Sequence, residues 1–141
     1  QEILVDVIGL GAGVVDRLAE QNLPVRGINV AEAPSTKKNF LNLRAELWFA
    51  IKDYLTQRDC RLPLDDDLVA ELAAPMYKYT STGKIKIESK EEMRKRGIKS
   101  PDKADALALT MASSAASFGG STSFLGYNFK KPLKSRIIRV G

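Results

Sequence analysis

The sequence predicts an α/β fold, and three features predict it. Ile3-Leu-Val-Asp-Val-Ile8 is apolar and β-branched except for Asp6, the composition of a buried strand. A glycine turn, Gly9-Leu-Gly-Ala-Gly13, leads into a short helical segment, Val14–Glu20, and then into a second strand, Val25–Val30. Strand, helix and strand in that order predict a βαβ unit with parallel strands and a right-handed crossover. The third feature is the alternation in Met76–Thr80 and Lys84–Glu88 around Ser81-Thr-Gly83, which predicts a β-hairpin near residues 76–88.

The remaining elements read as helices. Asn39 is placed to cap a long helix running to about Arg58, with Phe40, Leu43, Leu47, Ala50, Ile51 and Tyr54 on one face. Arg44 and Glu46 fall on its flanks, and Trp48 reads as a core or interface aromatic. Asp65-Asp-Asp67 opens a further helix, Leu68–Ala73, where capping and the helix dipole explain the acids better than a metal does. Ser89 caps a short basic helix, Lys90–Arg96, with Glu92 in the capping-box position and Gly97 ending it. Ser100 caps a last helix whose first residue is Pro101. Ala104, Leu107, Ala108, Met111 and Ala112 anchor that helix in the core, and Asp102 and Asp105 lie three apart at its mouth. Residues 1–117 therefore form one domain. Residues 118–141, opening with Phe118-Gly-Gly-Ser-Thr-Ser123, read as a flexible basic tail.

The 141 residues are enough for one domain with a real core, and 44% hydrophobic with 28% charged residues suits a globular chain. No run approaches the roughly 20 apolar residues that cross a bilayer. With no histidine, His-based catalysis and His-ligated zinc are excluded within these residues, and Cys60 alone forms no intrachain disulfide, as expected of a reducing cytoplasm. Any metal would be held by oxygen, which suits Mg²⁺ or Mn²⁺. The net charge is +5, with lysines and arginines gathered in Lys84–Lys103 and Lys130–Arg139. That is the footprint of a polyanion partner such as DNA, or of a solvated basic face.

Chemistry concentrates on the acids. A carboxylate such as Asp6 within an apolar strand needs a partner, which can be a metal ion, a lysine or backbone donors. A strand acid and a helix acid converging across a sheet make a two-metal phosphodiester site. Acids at a helix N-terminus equally suit the dipole, so Asp102 and Asp105 alone leave both readings open. Arg94, Lys95, Arg96 and Lys99, just ahead of these acids, are placed to hold a phosphate backbone. A dinucleotide-binding reading, with Glu32 as the ribose acid, fares worse. Val14 or Asp16 stands where the third glycine belongs. Gly83-Lys84 is no P-loop, because Ile85 replaces the hydroxyl residue.

Four blocks in order carry a resemblance: Val5-Asp-Val-Ile-Gly-Leu-Gly-Ala-Gly-Val-Val-Asp-Arg-Leu18, Asn42-Leu-Arg-Ala-Glu-Leu-Trp48, Gly83-Lys-Ile-Lys-Ile-Glu-Ser-Lys-Glu-Glu-Met-Arg-Lys-Arg-Gly97 and Lys99-Ser-Pro-Asp-Lys-Ala-Asp-Ala-Leu107. Over Ile3 to Ala112 the chain resembles the nuclease domain of tailed-phage and prophage terminase large subunits. The resemblance implies an RNase H-like mixed sheet flanked by helices, related to retroviral integrases. It implies metal-dependent endonucleolytic cleavage of concatemeric phage DNA during genome packaging, with two Mg²⁺ or Mn²⁺ ions. Asp6 matches the family's second catalytic acid and Asp105 the acid on the late helix. Asp102 is a neighbour that assists or substitutes, Lys90 matches a lysine near the metal site, and Glu88 is a weaker candidate. Lys90, Arg94, Lys95, Arg96 and Lys99 would hold double-stranded DNA.

The family's first catalytic aspartate and its ATPase motor lie ahead of such a segment, so the chain is expected to be an N-terminally truncated nuclease domain lacking the opening strands and catalytically incomplete. An exposed sheet edge would then favour self-association. The other partners implied are the terminase ATPase domain, the small terminase subunit and the portal, in the host cell cytoplasm, with no membrane. The alternatives are a non-catalytic DNA-binding or assembly remnant and a nucleotide-binding α/β domain.

Overall fold

The computed structural model describes residues 2–35, 39–57 and 60–116. The tail expected over 118–141 and the helix end expected at Arg58 lie outside them. β1 (Ile3–Asp6) and β2 (Val25–Ile28) pair in parallel, with Ile3 opposite Val25 and Asp6 opposite Ile28, and α1 (Gly11–Glu20) connects them. The βαβ unit is thus present, but β1 is shorter than the apolar run suggests. The Asp6 carboxylate accepts the Ile8 backbone N–H at 3.0 Å, and Gly9 then takes φ +71°. Once its side chain has captured that N–H, the strand gives way to a turn. Asp6 therefore ends the strand instead of lying within it.

α1 begins at Gly11, earlier than Val14, because this glycine permits a close approach. A Cβ at Gly11 would lie 1.7 Å from the Asp6 carbonyl oxygen, so any other residue would push the helix off the end of β1. No residue of α1 is buried, and Leu10 and Val14 are exposed.

α2 (Leu43–Leu55) is capped by Asn42, whose side chain accepts from Ala45 N at 3.1 Å, not by Asn39. The Asn39 carbonyl is already committed to Ile85 N at 2.8 Å, and Leu41 N donates to Ile85 O. Residues 39–41 thus run beside β4, with Phe40 bridging Ile85 in parallel. The hairpin is present: β3 (Tyr77–Tyr79) pairs antiparallel with β4 (Ile85–Ile87). The described strands divide between these two small sheets.

The core lies between α2 and α5 (Asp102–Ala116). Ala45, Leu47, Trp48, Ala50 and Ile51 meet Ala104, Ala108, Met111 and Ala112, the alanines allowing the two helices to close up. Ile28, Ile87 and Leu68, the last from α3 (Asp66–Ala73), close the ends of this core. Asp65 caps α3 by accepting from Leu68 N at 3.0 Å, and Lys103 binds Asp65 and Asp67. These hydrogen bonds hold the Asp65 carboxyl below its ordinary value and raise the Lys103 ammonium above its own.

The start of α5 departs from expectation. Ser100 donates its hydroxyl to Asp102 at 2.6 Å instead of accepting a backbone N–H, and the buried Pro101 supplies the first carbonyl, to Asp105 N at 2.7 Å. The first-turn N–H of Ala104 is taken by Glu71 of α3 at 3.0 Å. The cap comes from another helix. Glu71→Ala should therefore cost about 1 kcal/mol of stability, as loss of a cap does, read as a lower midpoint in urea.

α4 (Lys90–Lys95) carries the expected capping box between Ser89 and Glu92. It ends in a Schellman arrangement: Ile98 N donates to Met93 O, Gly97 N to Arg94 O, and Gly97 sits at φ +76°. Glu92 also ties α4 to the hairpin, accepting from Lys78 at 2.8 Å. The Lys78 ammonium, then the Ser89 N–H, hold its carboxyl at about 2. A depressed acid stabilises fully above its ordinary value of 4.5 and loses that contribution as pH falls toward about 2. An NMR titration should therefore show Glu92 protonating near 2, with the hairpin–α4 contact opening in the same range.

Candidate active site

The carboxyl end of the parallel pair opens into a cavity of about 740 Å³. Asp6 and Ile8 line it from the end of β1, Val30 and Ala31 from the end of β2. The opposite wall is Asn42, Arg44, Leu47 and Trp48 of the α2 start, Lys86, Ile87, Ser89 and Lys90 around the β4–α4 junction, and Asp102 and Asp105 of α5. Crevices beyond the carboxyl ends of parallel strands are where open α/β folds bind ligands. The three acids proposed from the sequence, Asp6, Asp102 and Asp105, thus share one cavity although Asp6 lies nearly a hundred positions from the other two.

Lys90 joins two of them. Its Nζ lies 3.2 Å from Asp105 Oδ2 and 3.5 Å from Asp102 Oδ1. Asp102 is largely exposed, with a side chain 77% accessible, whereas Asp105 is 21% accessible. The Ser100 hydroxyl first, and the Lys90 charge after it, hold the Asp102 carboxyl below its ordinary value. Asp105 Oδ1 is occupied differently: Trp48 Nε1 donates to it at 2.9 Å and Arg44 Nη2 at 3.2 Å.

The sequence places Arg44 on a helix flank and reads Trp48 as a core or interface aromatic. Trp48 is indeed in the core, and both residues also line this cavity and reach Asp105. They stand four apart on α2, so they share a helix face, and that i, i+4 spacing was the available signal. What could not be read was that this face meets α5.

Glu88 does not face the cavity. Arg96 grips it with two hydrogen bonds, at 2.7 and 2.6 Å, which holds its carboxyl low, and Met76 N donates to it as well. It pairs with Arg96, not with Lys90. Arg96 also donates to Ala74 O, and Arg94 pairs with Glu91. Lys95 and Lys99 are exposed.

A divalent ion is tested here by the donor set. Asp6, Glu91, Asp102 and Asp105 line the cavity, and the Lys90 ammonium sits between Asp102 and Asp105, where negative charge gathers. Among the described residues no three acid, cysteine or histidine side chains close into a metal cluster. Asp6 and Asp105 offer carboxylate oxygens from two walls of one cavity, the donor type that suits Mg²⁺ or Mn²⁺.

The fold matches solved structures. The nuclease domain of the large terminase subunit gp2 of bacterial virus Sf6 superposes with a TM-score of 0.65 and 28% identity, covering 78% of this chain. The chain has the fold of a phage large-terminase nuclease domain. A mutant of the Sf6 domain with manganese and β-thujaplicinol matches at TM-score 0.66 and 26% identity, and a mutant with calcium at 0.65 and 27%. The chain spans 64–65% of the length of these terminase domains. The α/β architecture is accordingly that of the RNase H-like terminase nucleases. No family model and no curated protein matches the sequence. No helix among the described residues is long and apolar enough to cross a membrane.

Proposed function

We propose that this chain carries part of the DNA-cleaving region of a terminase large subunit, contributing Asp6 and Asp105 to a site that hydrolyses phosphodiester bonds of double-stranded phage DNA with divalent metal. One observation carries the reading: the strand-end acid Asp6 and the helix acid Asp105 line the same cavity as Lys90 and Lys86. Mutants of the Sf6 terminase domain that match in fold were determined with manganese or calcium, which supports a divalent metal here.

Asp6 and Asp105 would hold Mg²⁺ or Mn²⁺, with Asp102 at the outer edge. Two ions bound there would supply activation of water and stabilisation of the leaving 3′ oxygen. The chain's own residues do the rest. Lys90, on release from Asp105, is free to meet a scissile phosphate, and Lys86 adds positive charge to the same wall. Lys95 at the end of α4 and Lys99 just beyond it, both exposed, hold the backbone without reading bases. Arg94 and Arg96 contribute charge while also bonded to Glu91 and Glu88. The terminase motor, the small subunit and the portal would be partners in the host cytoplasm.

Plasmid nicking in Mn²⁺, against EDTA and an Asp6→Asn/Asp105→Asn double variant, tests this. Cleavage should require metal and vanish in the double variant; cleavage that persists in either control overturns the assignment.

A further inference from the structure

The two oxygens of Asp105 are held differently. Trp48 Nε1 and Arg44 Nη2 both donate to Oδ1, at 2.9 and 3.2 Å, while Oδ2 bonds to Lys90 alone among the described residues. Arg44 is itself anchored, its Nη1 donating to the Glu88 carbonyl at 2.7 Å, and its guanidinium carbon lies 5.8 Å from the centre of the Trp48 ring. Both donors are screened from solvent: the Arg44 side chain is 16% accessible and Trp48 is 7%. A carboxylate on a helix has a free χ2 rotation, so two donors on a single oxygen fix which oxygen turns to the cavity.

Resting on the nuclease reading above, we propose that Arg44 and Trp48 are positioning residues that clamp Asp105 through Oδ1 and present Oδ2 as the metal ligand. Neither touches the metal. A purely structural clamp between α2 and α5 would stabilise the fold but leave metal affinity alone. A positioning clamp sets that affinity, since donors to a ligating carboxylate typically change it by about 10–100-fold when removed.

The separating measurement is Mn²⁺ binding, read from the electron-paramagnetic-resonance signal of free Mn²⁺, with melting followed by circular dichroism on the same samples. Trp48→Phe keeps the packing and deletes the donor. Arg44→Lys keeps the charge and deletes the fork that reaches Glu88 and Asp105 together. Each should weaken Mn²⁺ binding about tenfold while still melting cooperatively, and Arg44→Gln should weaken it more than Arg44→Lys. In cleavage assays kcat should fall more than the KM for DNA changes, because both donors spend their hydrogen bonds on Asp105 and the Glu88 carbonyl. Folded variants that bind Mn²⁺ as the wild type does would overturn the clamp. The Asp105→Asn control tells the two readings apart: if it loses Mn²⁺ while the clamp variants do not, only the clamp is wrong. If Asp105→Asn binds Mn²⁺ like the wild type, the nuclease reading falls and the clamp falls with it.

Discussion

Asparagine in place of Asp105 is expected to abolish metal-dependent cleavage while leaving the fold in place. The amide is isosteric, and its oxygen can keep the bonds from Trp48 and Arg44 at the Oδ1 position. What disappears is the negative charge facing Lys90 and the cavity. Losing a metal ligand removes several kcal/mol of transition-state stabilisation. At 1.36 kcal/mol per factor of ten, that is a rate loss of about a thousandfold or more. The folding cost is smaller. Arg44 keeps the Glu88 carbonyl and Lys90 keeps Asp102, so neither cation is stranded. A decrease in stability of about 1 kcal/mol is expected, the worth of one hydrogen bond. Initial nicking rates and a urea titration on the same protein check both numbers. A variant that cuts at the wild-type rate would remove Asp105 from the mechanism.

The second large effect comes from a residue with no side chain. Gly11→Ala would place a methyl group 1.7 Å from the Asp6 carbonyl oxygen and 2.8 Å from its carbon. Both are backbone atoms, so no side chain can swing aside, and either the start of α1 or the end of β1 has to move. Overpacking of this kind costs typically about 1–3 kcal/mol. The displaced atoms belong to Asp6 itself, and a misplacement of about 1 Å at a reacting centre costs on the order of a hundredfold in rate. Gly13→Ala is the control: nothing lies within 4 Å of its Cβ, and in the same helix alanine should stabilise by about 0.5–1 kcal/mol. A Gly11→Ala protein as stable and as active as the wild type would show that the helix and strand end slide apart freely.

The acids that line this cavity stood out in the sequence for different reasons. Asp6 is the one charge in an apolar run, and Asp102 and Asp105 stand at the mouth of an alanine-rich buried helix. The hairpin, the Ser89–Glu92 capping box and the Gly97 stop were legible because each is a short-range pattern satisfied by neighbours in sequence. The start of α2 shows where that logic fails. Asn39 and Asn42 are equally good caps in isolation. Only the pairing of residues 39–41 with Ile85, more than forty positions away, withdraws one of them. Glu71 capping α5 is a choice of the same kind.

Local sequence determined the element types, the strand–helix–strand unit and the acids most out of place, because these follow from backbone sterics, periodicity and the cost of a carboxylate among apolar side chains. Tertiary packing decided which face of α2 meets α5. It thereby made Arg44, on a helix flank, and Trp48, in the core, the donors that hold Asp105. Such hydrogen bonds join residues 57 and 61 positions apart, and no local propensity encodes a distance set by the close approach of two helices.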